Sequence, residues 1–201
     1  LVGSEMCIRD RVVLSASAFT RISIFLLFLR QGLGLNQLLP TQILMGLSFL
    51  LSFIVMSPTL SEVYEKAVFP LNKNKITLNA SLKESEVVWR NFLLSNLSEE
   101  DLKSDLILKN SQSAEVKESS IKTSHLISVF IISELKKAFK LGFFIFIPFV
   151  VIDLLLAMVV SMLGILNPSP SSIALPIKLF LFVAIDGWSL VTKTLLNGFG
   201  A

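Results

Sequence analysis

Residues 141–166 read LGFFIFIPFVVIDLLLAMVVSMLGIL, an apolar run whose one ionisable residue is Asp153. It is longer than the roughly 20 residues that cross a bilayer as a helix. Pro148 within it predicts a kink, because proline removes a backbone donor and crowds the preceding turn. Just before it, residues 126–140 are still largely apolar but carry Glu134, Lys136, Lys137 and Lys140. The pattern predicts an amphipathic helix leading into a hydrophobic one.

Working outward, Asn167-Pro-Ser-Pro-Ser-Ser172 is a breaker cluster that turns the chain. A further apolar block, Ile173 to Leu196, contains Pro176, Lys178, Asp186 and Gly187 and completes a C-terminal helical hairpin over residues 126–201. A similar pair lies upstream, over residues 12–58. Val12 to Leu29 carries Arg21, and the turn-like stretch Arg30 to Pro40 follows it. Ile43 to Met56 has no charge and stops at Ser57-Pro58. The short connection favours antiparallel neighbours. Between the pairs, residues 59–125 are rich in Lys, Glu, Asp, Asn and Ser. They read as an aqueous domain of short amphipathic helices, with Ser98-Glu-Glu-Asp101 as one helix start. Residues 1–11 lack an initiator methionine and a signal-peptide pattern, so they read as a non-native leader and are set aside with Cys7. The expected class is all-α and membrane-associated, with four apolar helical blocks in two pairs.

Composition agrees. Hydrophobic residues make up 53% and charged residues 16% of the 201, and mean hydropathy is +0.73. Soluble domains carry about 25% charged residues. A net charge of +3 with no basic, aromatic-interleaved patch does not point to nucleic acid. One cysteine permits no internal disulfide, and the single histidine, His125, rules out a metal site built on several imidazoles. No phosphate loop or paired-cysteine motif is present, and no cofactor is expected.

The informative residues are ionisable groups inside apolar helices: Arg21, Glu134, Lys140, Asp153, Lys178 and Asp186. A charge at a bilayer centre costs a few kcal/mol, about 2.5–3.5 on insertion scales. Each therefore needs a partner, water or a position outside the hydrocarbon. Lys178 and Asp186, eight residues apart, would share one helix face two turns apart, too far to pair with each other. Each is expected to pair across a helix or subunit interface. Buried ion pairs that fix assembly are weighed against a direct role in ion or substrate passage.

Two segments carry a resemblance. Residues Phe130 to Gly142, FIISELKKAFKLG, and Pro176 to Trp188, PIKLFLFVAIDGW, resemble the two signatures of the FliP/SctR export-gate family. Within the second, Pro176, Lys178, Asp186, Gly187 and Trp188 are the distinctive positions. Phe143 to Leu155, Phe19 to Ile22, Leu29 to Gln31 and Ile54 to Pro58 are also similar, so the likeness spans almost everything after residue 11.

The resemblance implies a homo-pentamer joined by two smaller membrane proteins of the FliQ/SctS and FliR/SctT types. Unfolded export substrates pass through the centre of that gate. It implies the bacterial inner membrane, at a flagellar basal body or injectisome base, with helix surface packed on neighbouring subunits as well as membrane lipid. In the family a methionine-rich loop after the third apolar block plugs the pore. Here Met162, Leu163, Ile165 and Leu166 hold that place, with only one methionine. The expected function is a pore-forming subunit with no chemistry of its own. The alternative is a small ion-coupled transporter using Asp153, Asp186 and Lys178 as a relay. The length of the polar middle leans towards the flagellar branch.

Overall fold

The computed structural model describes residues 17–36, 38–73, 75–98, 100–102, 122–164 and 170–199. Among these residues every element is helical, so the chain is all-α. The leader at 1–11 lies outside the described residues, as do Ile165 and Leu166.

Helix α1, Phe19–Leu33, runs four residues beyond the predicted Leu29. It stops at Gly34, whose φ of 75° places it in the left-handed region that glycine enters without a Cβ clash. Gly34 N–H donates to the Gln31 carbonyl and Leu35 N–H to that of Arg30. This is a Schellman ending, and it satisfies two of the last carbonyls of the helix but not that of Gly32. Arg30 then ties the connection together by donating to Thr41 Oγ1 at 3.0 Å and to the Asn36 carbonyl.

Helix α2, Thr41–Val63, does not stop at Pro58 as the sequence suggested. Proline forfeits one ladder bond, yet the helix continues through it into a π-helical turn, Tyr64–Val68, and a short α3, Phe69–Asn72. The continuous path, Thr41–Asn72, is 32 residues and apolar enough to cross a membrane. Helix α4 is Leu78–Ser95, started by Thr77, whose side chain accepts from Ala80 N–H. Helix α5, Thr123–Met162, joins the predicted amphipathic and hydrophobic helices into one 40-residue helix with Pro148 inside it. At 1.5 Å per residue it is about 60 Å long, twice a hydrocarbon core of about 30 Å. Helices α6, Pro170–Ala184, and α7, Gly187–Asn197, meet at a 65° bend. Among the described residues two helices are thus long and apolar enough to span, or three if the bent pair is one span.

The contacts divide into two units. One comprises residues 1–20 and 52–135, the other 21–51 and 136–201. In the first, α4 packs its apolar stripe on the start of α5 around buried Leu93, Leu126 and Phe130. The Phe92 and Phe130 rings lie 5.9 Å apart. Thr123, at the start of α5, donates to Glu86 at 2.7 Å. Ser98 Oγ accepts from Asp101 N–H, the helix start that its sequence suggested. Ser133 on α5 donates to the Asp101 carboxylate at 2.8 Å. Ser81 on α4 donates to the Ala67 carbonyl in the π-helical turn, where the intrahelical ladder is widened.

In the second unit α1 lies against α5 through Phe28, edge-on to Phe139 at 5.5 Å and Phe146 at 6.3 Å between ring centres. Gly142 makes that approach possible. A Cβ there would sit 2.5 Å from Phe28 Cδ2 and 3.0 Å from its Cβ, so the ring could not simply swing away. Gly46, on α2, has no neighbour within 4 Å of its notional Cβ. Gly142→Ala is therefore expected to destabilise the chain by about 1–3 kcal/mol through overpacking. Gly46→Ala should be neutral or up to about 1 kcal/mol stabilising, from helix propensity. Unfolding in detergent compares them; equal effects from both would refute the close-packing account.

Candidate functional site

Among its described residues the second unit buries two cations, Lys178 and Arg21, and both close the C-terminal end of a helix. Lys178 on α6 is 4% exposed. Its ammonium donates to Asp153 Oδ2 on α5 at 2.6 Å and to the Gly32 carbonyl on α1 at 2.9 Å. The Gly32 carbonyl is one of the groups that the Schellman ending leaves unsatisfied. It lies where the helix dipole is negative, so a cation there is favoured. One side chain thus ties three helices. The Asp153 side chain remains 46% exposed, so one end of the pair reaches solvent or a neighbour. Asp153 and Lys178 lie about equally far from the α5–α6 connection, as in an antiparallel pair.

Arg21 on α1, 1% exposed, repeats the device. It donates to the Gly198 carbonyl at the end of α7 and lies over the Phe199 ring, 3.7 Å from its centre. A guanidinium stacks on an aromatic face and hydrogen-bonds in its own plane at once, which lysine cannot match.

An open recess of about 420 Å³ lies beside the lysine pair, lined by Gln31, Asn36, Asp153, Leu154, Leu175 and Lys178 among others. Among the described residues no group of three or more His, Cys, Asp or Glu is placed to hold a metal ion.

The other ionisable residues singled out from the sequence are placed differently. Glu134, in the first unit, is fully buried. Lys140 and Asp186 are exposed in the single chain. Asp186 does not share a helix face with Lys178, because α6 ends at Ala184 before reaching it. Instead Asp186 precedes α7 with φ 51°, a left-handed conformation that aspartate tolerates better than most residues. The turn it makes explains the rest of the segment. A Cβ on Gly187 would fall 2.3 Å from the Phe182 ring, and Trp188 meets that ring edge-on at 5.5 Å. Pro176 lies inside α6, six residues from its start.

Sequence reasoning missed the carbonyl partners, Gly32 and Gly198. The only signal was the glycine-rich end of the first block, which marks a helix terminus but not its ligand. At the end of α5, Met162 is 86% exposed and Leu163 is also exposed, and Gly164 turns the chain with φ 65°. The remaining two residues of the suggested seal, Ile165 and Leu166, are not among those described.

Comparison with known proteins fits these elements. The FliP family model matches residues 4–195. The flagellar biosynthetic protein FliP of Bacillus subtilis is 38% identical over 190 residues, covering 94% of this chain and 85% of that protein. The protein of the same name from Borreliella burgdorferi is 39% identical over 186 residues, covering 91% and 73%. That from Cereibacter sphaeroides is 39% identical over 194 residues, covering 96% and 64%. The match takes in α1 with Arg21, the Gly142 crossing and the whole Pro176–Trp188 segment, and the chain belongs to the FliP family.

Proposed function

We propose that this chain is a pore-forming subunit of a flagellar protein-export gate, passing unfolded substrate polypeptides across the bacterial inner membrane at the basal body. The observation that carries the reading is the Lys178 clamp, set in a unit whose outer helix faces are apolar. Phe144, Leu163, Phe180 and Val183 are all more than 60% exposed, which suits lipid or neighbouring subunits and not water. A subunit that must open a polar path while its walls slide on apolar neighbours needs helices fixed to one another from within. Lys178 and Arg21 meet that need without using the outer surface. The names of the relatives, all flagellar biosynthetic proteins, favour the flagellar over the injectisome branch.

In this reading several copies, five by family resemblance, surround the path with two smaller membrane proteins of the FliQ and FliR types. Transport is a matter of opening and sealing, with no bond made or broken by the chain. The relay alternative gains no support: Lys178 is paired with Asp153, whereas Asp186 sits beyond the end of α6, in the bend before α7.

Asp153→Ala leaves a buried ammonium with only the Gly32 carbonyl, an uncompensated charge that costs a few kcal/mol, about 3–5 when burial is complete. It is expected to abolish secretion of flagellar proteins and swimming when the gene replaces the native one, and Lys178→Ala to lower both at least tenfold, roughly the effect of 1.4 kcal/mol. Normal secretion by both variants would remove the clamp from the account.

The end of α5 is the place proposed to close the resting path. Met162→Gly combined with Leu163→Gly removes apolar bulk at two exposed positions next to the turn. Cells expressing the variant should leak small ions and become sensitive to polar agents that wild-type cells exclude. An unchanged barrier would put the seal elsewhere in the chain.

A further inference from the structure

Helix α5 turns one face to the rest of the second unit. Gly142 and Phe146 meet Phe28, Phe149 meets Gly32, and Asp153 holds Lys178. These positions follow one another by four, three and four residues, so they form one stripe. At about 100° per residue the opposite stripe is Lys136, Lys140, Phe143, Ile147, Val151 and Leu154, and every one of them is exposed.

The exposed stripe has two chemical halves. From Leu141 to Met162 the helix rises about 33 Å, close to a hydrocarbon thickness of about 30 Å. Lys136 and Lys140 therefore sit at one membrane boundary, where long basic side chains reach for the headgroups. Phe143 to Leu154 then runs about 16 Å, the depth of one leaflet. The one acid between Lys136 and Met162 is Asp153, which lies on the packed face, and Glu134 is fully buried. Among the described residues the Lys140 ammonium has no hydrogen-bond or ion-pair partner. Lys136 and Lys140, four residues apart, carry like charges on adjacent turns, which repel on a bare helix. One anion held between them removes that repulsion.

We infer that this face of α5 is a site for an anionic phospholipid, with its phosphate between Lys136 and Lys140 and its acyl chains along Phe143, Ile147, Val151 and Leu154. A zwitterionic lipid brings its own cation and gains less from the two lysines. A soluble anion leaves the apolar half uncovered. The stripe carries charge of one sign only, at the end that meets the headgroups, which is the pattern of a lipid-binding surface. Met162 lies about 12 Å beyond Leu154, past the leaflet that this lipid occupies. The inference needs α5 to cross a membrane and goes beyond the gate reading, which stands or falls separately.

The test titrates the full chain, in a neutral detergent, with phosphatidylglycerol, phosphatidylcholine or inorganic phosphate, and counts bound molecules by native mass spectrometry. The wild type is expected to bind phosphatidylglycerol at least tenfold more tightly than phosphatidylcholine. Lys136→Gln and Lys140→Gln are neutral replacements that suit a helix. Each should weaken phosphatidylglycerol binding about fivefold, and both together about 25-fold, with phosphatidylcholine unchanged. Lys193→Gln, at an exposed position on α7, should leave both lipids unchanged. A wild type with no preference for the anionic lipid overturns the inference, whatever the variants do. An equal loss from Lys193→Gln also overturns it, since the attraction is then diffuse. Phosphate bound as tightly as the lipid overturns it as well, leaving an anion site without chains. Loss of self-association in the double lysine variant, with lipid binding intact, gives the stripe to a neighbouring copy and overturns it too.

Discussion

One ammonium group sets the terms for the second unit. Lys178 cannot be buried unless its charge is answered, and two groups answer it: the Asp153 carboxylate and the Gly32 carbonyl. Both conditions bind the backbone as well as the side chains. The carbonyl is available because α1 ends where it does, and α1 ends there because Gly34 can enter the left-handed region. A helix-ending glycine, a half-exposed acid and a buried base are thus parts of one arrangement. Arg21 and the end of α7 repeat it on the same scale. Removing either answering group leaves a charge in a low-dielectric site, which is far costlier than never having placed it there.

The same unit depends on two close approaches that only glycine permits. At Gly142 the α5 backbone comes up to the Phe28 ring, and at Gly187 the bend after α6 closes over Phe182. These contacts turn the two FliP-like segments into physical statements. The first segment ends at the residue where α1 crosses α5. The second runs from a proline within α6, through the clamp lysine, to a turn whose acid, glycine and tryptophan each have a separate task. The acid takes the left-handed conformation, the glycine admits the phenylalanine ring, and the tryptophan packs on its edge.

Much of this was legible in the sequence. The apolar run at 141–166, the breakers after Asn167 and the polar middle gave an all-helical membrane-associated class, and Ser98 was readable as a helix start. What local patterns missed has consistent causes. Pro58 looked like a terminus because proline breaks isolated helices, yet helix Thr41–Asn72 runs through it, losing one bond and keeping its path. Asp186 looked like a helix-face partner for Lys178 because periodicity assumes an unbroken helix, and a single left-handed residue cancels that assumption. Asp153 as the partner of Lys178 and Gly32 as the second acceptor depend on packing between segments about 25 and 146 residues apart. No spacing rule reaches so far.

The account stands or falls on whether Lys178 and Asp153 act as a pair. A double-mutant cycle in detergent, with Lys178→Met, Asp153→Leu and the two combined, measures this through unfolding free energies. The account predicts that Asp153→Leu alone is the most damaging, because it strands a buried cation. Lys178→Met should cost less, because the half-exposed carboxylate can be hydrated. The combined variant should recover part of the loss, with a coupling of about 1–3 kcal/mol. Losses that simply add, within about 0.5 kcal/mol, would show that the two side chains are neighbours without being a clamp.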